Sequence, residues 1–190
     1  MKGLGTCGVV AGCAIALVLT AACEKPAASK MDGPKVEATI QEIMVSIVAP
    51  TAQKTWDATV TMIDDQGTRE LHPKTDAEWQ EVRAAALTLL EAPNLLAMEG
   101  RALSRPGAKL ADEGGAGMAS QEEIAKALVE HRADFLKHAR DLQVQTALMV
   151  AAIDKRDIEQ MQEIGGEMDE VCEACHAQFW YPRQGKKPAF

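Results

Sequence analysis

The amino-acid sequence predicts an all-α protein, an antiparallel four-helix bundle, and three observations favour this fold class. Ala, Leu, Glu and Met are abundant, whereas aromatic residues make up only 4% of the 190 residues, a composition that favours helices over a large sheet. Apolar residues recur at steps of three and four along the chain, and no stretch alternates convincingly as a strand does. The hydrophobic fraction of 47% is sufficient for a buried core.

Residues 1–22 have the pattern of an export signal, with a positive charge at Lys2 followed by an apolar run and small residues. The run Leu19-Thr-Ala-Ala-Cys23 resembles the lipobox of bacterial lipoproteins, in which the cysteine becomes the lipidated N-terminus. We therefore expect a lipid anchor at Cys23 on the periplasmic side of a bacterial membrane. Two alternatives stay open: ordinary cleavage, which leaves a soluble periplasmic protein, and an uncleaved membrane anchor.

A tether is predicted for residues 23–35, because they contain Pro, Ser and Gly and no apolar period. The folded domain is therefore expected to span 36–190. Its first helix begins at the capping box Thr39-Ile-Gln-Glu42. The apolar positions that follow are Ile40, Ile43, Met44, Ile47 and Val48. Pro50 is expected to kink or restart this helix, which is predicted to continue until a turn at 64–67.

Three more helices are predicted downstream. The capping box Thr75-Asp-Ala-Glu78 opens the second, which Pro93 is expected to interrupt near its end. A long Gly-rich loop is predicted for 100–119. A third capping box, Ser120-Gln-Glu-Glu123, opens a helix that is predicted to run unbroken to Asp154, the expected cap of the fourth helix.

The fourth helix has the most regular apolar seam of the chain, with alternating steps of three and four residues. The seam consists of Ile158, Met161, Gly165, Met168, Cys172, Cys175 and Phe179. Two thiols spaced as Cys172 and Cys175 can add across the two vinyl groups of a haem, and the histidine that follows can bind the iron, which is the signature of covalent haem c attachment. We expect Cys172 and Cys175 to form the thioethers and His176 to be the proximal iron ligand.

Two other interpretations of this CxxCH motif are weaker. A disulfide oxidoreductase needs its first cysteine at a helix N-terminus, where the thiol pKa falls, whereas Cys172 lies far along a helix. A structural zinc site needs four ligands, and the chain after residue 22 offers no second cysteine pair. Haem c with its iron is therefore the expected cofactor. The residues available to line its pocket are Met161, Ile164, Met168 and Val171, although core packing is the simpler explanation for each methionine.

On the CxxCH motif and a first-helix pattern, the chain resembles the class II cytochromes c, the cytochrome c′ family, over roughly residues 36–181. Members are exported four-helix bundles that carry CxxCH near the C-terminus. The resemblance implies that Gln41 belongs to the cofactor site and that Met44, three residues later, lies on the open side of the iron. In low-spin members a methionine at this position is the distal ligand, so Met44 is the expected sixth ligand. Packing in the core is the alternative role for Met44.

The chain departs from the family pattern at two positions, because Ile40 and Trp180 stand where the family commonly has arginine. The haem propionates must therefore have other partners, for which Arg101 and Arg183 are available. The loop at 100–119 is longer than a compact member needs, and it either covers a haem edge or is mobile. The resemblance also implies a candidate homodimer.

The expected function is one-electron transfer, because a haem held by a histidine and a methionine is coordinatively saturated. The alternative is a five-coordinate cytochrome c′ that binds NO or CO. His131 and His138, which share a face of the predicted third helix, are further candidates for the distal ligand, and a surface position is the alternative for both.

The sequence indicates no enzyme, since no nucleophile–base pair, carboxylate pair or phosphate loop stands out. Redox partner proteins are the expected partners. Nucleic acid is not expected, because 28 acidic residues against 20 basic ones give a net charge of −8, which repels a phosphate backbone.

Overall fold

The computed structural model describes residues 33–111 and 113–182, so the predicted export signal, Cys23 and Arg183 lie outside the described residues. The folded unit begins at Lys35. It is mostly helical, with 64% helix, and its described part contains five helices and one small two-stranded sheet. The all-α prediction holds in this coarse form.

The first helix, α1, is continuous and has three parts. It starts with an α-helical part at Ile40–Ile43, widens into a π-helical turn at Met44–Val48 and ends with a second α-helical part at Ala49–Asp57. The other helices are α2 (Asp76–Leu96), α3 (Gln121–Glu130), α4 (Arg132–Lys155) and α5 (Ile158–Phe179).

Three helix starts are stabilised as the sequence predicts. The hydroxyls of Thr39, Thr75 and Ser120 each accept the backbone N–H of the glutamate three residues later, and the carboxylate of that glutamate accepts the N–H of the cap residue. Each box satisfies N–H groups that have no partner within the helix.

Four helices contact one another in a closed order: α1 with α2, α2 with α4, α4 with α5, and α5 with α1. The shorter α3 packs on α4 and α5. The largest apolar side chains that lie fully in the interior are Ile43, Leu89, Ile124, Met149, Met161, Met168 and Phe179. The last three belong to the predicted seam of α5, so the seam prediction is confirmed.

The predicted extension of the first helix to 64–67 is wrong. Helix α1 ends at Asp57, and a β-hairpin follows, in which β1 (Val60–Asp64) pairs antiparallel with β2 (Gly67–Leu71). Ile63, which would lie within the first helix if that helix continued to 64–67, is 80% exposed on this hairpin.

The hairpin has a local cause and a distant one. Within the turn, the Asp64 carboxylate accepts the N–H of Gln66 at 2.9 Å, and Gly67 has a φ of 116°, which glycine adopts readily. From α5, the amide of Gln162 donates to the Thr61 hydroxyl at 3.3 Å. The first strand is therefore held beside α5 and does not continue α1.

The predicted third helix is two helices, because the backbone leaves the helical region at His131, with φ −111° and ψ 38°. The guanidinium of Arg132, at the start of α4, donates to the Ala97 carbonyl oxygen at the end of α2 at 2.6 Å, which ties α4 to α2. Asp154 is not the cap of α5, since it lies inside α4 and forms an ion pair with α2. Asp157 caps α5 instead.

The two prolines within helices have different effects. Just before Pro50, the N–H of Ala49 donates to the Met44 carbonyl oxygen five residues back, so a π-helical turn precedes the restart that the sequence predicts. The predicted interruption at Pro93 is wrong, because α2 continues through this buried proline to Leu96.

Replacing Gly166 by alanine is expected to raise the free energy of unfolding. The Gly165→Ala variant is expected to be less stable than the Gly166→Ala variant. A Cβ at Gly165 would lie 3.2 Å from Cδ1 of Trp56, whose indole N–H donates to the Gly165 carbonyl oxygen at 3.0 Å. Space is open around Gly166. Alanine gains about 1 kcal/mol over glycine inside a helix, and overpacking costs about 1–3 kcal/mol. Urea unfolding measures both variants, and equal stability would contradict this account of Trp56.

Candidate functional site

One cavity of about 490 Å³ brings together the residues that the sequence analysis selected. Cys172, Cys175 and His176 line it from α5, and Gln41 and Met44 line it from α1. Apolar side chains from α4 and from the loop before α3 complete the wall. The motif on the last helix and the pattern on the first helix therefore meet at one place.

The two cysteines lie one helical turn apart on the seam of α5 and are free thiols. Burial raises the pKa of both thiols, that of Cys175 to about 12, with neighbouring charge as a smaller cause. Both are therefore protonated at neutral pH. Disulfide oxidoreductases instead need a lowered thiol pKa, so the raised pKa values disfavour the dithiol interpretation.

The imidazole of His176 is held neutral by the same surroundings. Burial lowers its pKa, and the nearby Glu173 opposes this only in part. A neutral imidazole has a lone pair for a metal ion, whereas a protonated one does not.

The chain turns back over the cavity directly after α5. The N–H groups of Trp180 and Tyr181 donate to the His176 carbonyl oxygen at 2.8 and 3.0 Å. Both rings lie about 6 Å from the imidazole ring and line the cavity. The Tyr181 hydroxyl donates to the Glu173 carboxylate, and burial together with this bond raises the pKa of Tyr181 to about 12.

The described residues of the loop at 100–119, called the strap below, cover part of the cavity between α1 and α5. The N–H groups of Ile40 and Gln41 donate to the Ala102 and Leu103 carbonyl oxygens, both at 2.9 Å. At the other end of the strap, the Ala119 N–H donates to the Trp180 carbonyl oxygen at 2.8 Å. Leu110 and Met118 of the strap line the cavity. Of the two alternatives for this loop, the geometry favours a cover.

The α1 wall is bonded to the strap through side chains as well. The Gln41 amide donates to the Lys109 carbonyl oxygen at 2.6 Å, so this residue holds the cover in place while it lines the cavity. The guanidinium of Arg105 donates to the Glu42 carboxylate at 2.9 Å. Met44 is half-buried and is the first residue of the π-helical turn.

The two histidines outside the motif are separated by the helix break. His131 lies at the break, where it is exposed and 3.9 Å from the Asp134 carboxylate. His138 lies within α4 and lines the cavity, and its Nε2 is 2.8 Å from the Gln178 side-chain oxygen. The expectation that they share a helix face is therefore wrong, and only His138 is placed near the site.

Some expected pocket residues lie elsewhere. Met161, Ile164 and Met168 are buried in the core and do not line the cavity, whereas Val171 does. The guanidinium of Arg101 donates to the Leu95 carbonyl oxygen at 2.8 Å and to the Ala38 carbonyl oxygen, and it is not part of the lining. It is therefore a structural anchor of the strap.

The cavity is also lined by residues that the sequence does not mark, among them Met118 and Leu110 in the strap and Phe135 and Leu142 in α4. For Met118 and Leu110, the one sequence signal of a role in the site was the presence of large apolar side chains within a Gly-rich loop. Nothing local distinguishes Phe135 and Leu142 from other core positions of an amphipathic helix.

Comparison of the chain with family models, with curated proteins and with solved structures found no match. Within residues 33–111 and 113–182, no group of three or more His, Cys, Asp or Glu side chains converges as a metal site. The same residues include no helix with the length and apolar character to cross a membrane.

Glu42→Gln is expected to destabilise the protein above about pH 4.5 and to have less effect as the pH falls toward 2. The hydrogen bond from Arg105, with help from the Thr39 N–H, lowers the pKa of Glu42 from its ordinary value of 4.5 to about 2. A carboxylate with a lowered pKa stabilises the fold above its unfolded pKa and loses this contribution as the pH falls through the folded value. Urea midpoints of both proteins between pH 7 and 2 provide the measurement. A difference that is constant over this range would contradict the role of the Arg105 bond.

Proposed function

We propose that this protein is an exported monohaem c-type cytochrome of class II type, an antiparallel four-helix bundle that transfers single electrons. One observation carries the proposal: the two thiols and the imidazole of Cys172-Glu-Ala-Cys175-His176 line one cavity together with the thioether of Met44 from another helix. The closed order of contacts among α1, α2, α4 and α5 supports the bundle.

The residues of the cavity fit a haem. The volume of about 490 Å³ lies within the roughly 300–1,000 Å³ of cofactor-sized sites. Burial keeps the thiols of Cys172 and Cys175 protonated and the imidazole of His176 neutral. Neutral imidazole is the form that binds iron, and most of the remaining lining is apolar.

When bound, haem c supplies reversible one-electron chemistry at its iron. Cys172 and Cys175 hold the group covalently, and both belong to the packed seam of α5. His176 binds the iron from α5, and Met44 offers a thioether from α1. A soft thioether favours the reduced iron and raises the reduction potential.

The strap and the rings after α5 shield part of the site from water. Leu110 and Met118 cover the cavity from the strap, and Trp180 and Tyr181 cover it from the chain after α5. An apolar environment of this kind disfavours added charge on a bound haem and so contributes to its reduction potential.

The alternative function depends on Met44. If Met44 only packs in the core, it would not bind the haem iron, and binding of NO or CO is then the function.

The surroundings of the domain are part of the proposal. Lipid attachment at Cys23 would hold the domain on the periplasmic side of a membrane, where haem c attachment takes place, and redox partner proteins would meet it there. The tether at 23–35 would provide the reach.

The wild-type protein, produced in a host that attaches haem c, is expected to keep its haem after denaturation and acid extraction. The variant with both Cys172→Ala and Cys175→Ala is expected to lose it, because the thioether bonds cannot form. Haem staining of denatured gels measures the difference, and Met44→Leu is the matched control that should keep the haem. A wild-type protein with no covalent haem would refute the proposed function.

Met44→Leu is expected to abolish the sulfur-to-iron charge-transfer band of the oxidised protein and to let the reduced protein bind CO. The variant keeps an apolar side chain of similar volume but removes the thioether, so a folding defect is not expected. Met118→Leu, at the second methionine of the cavity, is the control and should keep the band. If the band disappears only in Met118→Leu, the strap provides the ligand. A low-spin spectrum without the band in wild type would indicate His138.

A further inference from the structure

The π-helical turn of α1 forms part of the cavity wall. Met44 is its first residue and Val48 its last, and both line the cavity. The N–H of Ala49 donates to the Met44 carbonyl oxygen, five residues back, whereas in an α-helix it would donate to Val45, four residues back. The turn thus contains one residue more than an α-helical turn. The extra residue changes which side chains of α1 lie on the cavity side of the helix.

Pro50 follows this turn after Ala49 and interrupts the α-helical bonding there. It has no N–H for the carbonyl of Ser46, four residues back, and in a regular α-helix its ring would collide with that carbonyl. A wider turn relieves the collision. The Thr51 hydroxyl donates to the Ile47 carbonyl oxygen at 2.5 Å, so a side chain also bonds to a carbonyl of the turn.

Both ends of α1 are anchored, so the extra residue cannot be removed without moving one of them. At the start, the N–H groups of Ile40 and Gln41 donate to the strap at 2.9 Å. At the other end, the Trp56 indole donates to α5 at 3.0 Å. Without the wide turn, one half of α1 would rotate by about 100° relative to the other, since an α-helix has 3.6 residues per turn. Val45, which lies at the edge of the lining already, would then take the place of Met44.

We infer that Pro50 is a positioning residue, which imposes the wide turn and thereby directs the thioether of Met44 into the cavity. Pro50 is exposed and does not line the cavity, so it acts only through the backbone. The consequence for an iron ligand rests on the proposed function, whereas the consequence for the backbone does not.

The test compares three variants of the full-length protein with the wild type: Pro50→Ala, Pro50→Ala with Ser46 deleted, and Pro93→Ala. Ser46 is exposed, so its deletion shortens the turn by one residue without removing a core side chain. Pro93→Ala controls for the removal of a proline from a helix that has no wide turn. Crystal structures identify the carbonyl that accepts the Ala49 N–H. Absorption spectra follow the sulfur-to-iron band and the binding of CO.

In Pro50→Ala, we expect the Ala49 N–H to bond to the Val45 carbonyl, the sulfur-to-iron band to disappear and the reduced protein to bind CO. Deletion of Ser46 in the Pro50→Ala variant is expected to restore the band. A regular helix that is one residue shorter returns Met44 to its wild-type position while both ends of α1 stay anchored. Pro93→Ala is expected to keep the band.

The inference is overturned if Pro50→Ala keeps both the wide turn and the band. It is equally overturned if the variant with the Ser46 deletion fails to fold or to recover the band, or if Pro93→Ala also loses it. If Pro50→Ala alone fails to fold while the deletion variant recovers the band, the inference is supported. A wild type without covalent haem refutes the proposed function, and the crystal structures still decide whether Pro50 imposes the turn.

Discussion

The apolar seam of α5 is the constraint on which both the core and the site depend. Met161 and Met168 are completely buried, and Cys172 and Cys175 continue the same seam toward the end of the helix. A rotation of α5 that exposed the thiols would also expose these core side chains, each of which stabilises the fold by about 1.5–3 kcal/mol. Packing of the helix therefore holds the thiols, and the adjacent His176, toward the cavity.

The other wall depends on backbone geometry more than on side-chain packing. The strap is bonded to the start of α1 and to the end of α5, so the two helices that line the cavity share one cover. Within α1, the wide turn ahead of Pro50 sets the direction of Met44. The α5 wall is thus held in place because its seam is buried. The α1 wall is held in place because both ends of the helix are anchored on either side of the wide turn.

Much of the fold and of the candidate site could be predicted from the sequence, because the signals are local. The capping boxes at Thr39, Thr75 and Ser120 act over three residues, and all three are formed. The seam of α5 follows from periodicity. The motif that ends at His176 and the Met44 position were each visible as short patterns, and the structure brings them to one cavity.

The elements that the sequence did not reveal depend on contacts between distant residues. The hairpin is held by Gln162, about a hundred residues away from it, and the start of α4 is tied to the end of α2 by Arg132. The strap becomes a cover only because the ends of α1 and α5 lie close enough to bond it. The sequence by itself determined the three helix starts that carry capping boxes, the buried seam and the residue types of the site. Only the tertiary structure decided where helices end and what covers the cavity, because hydrogen bonds between residues 35 to 101 positions apart leave no periodic or local pattern in the chain.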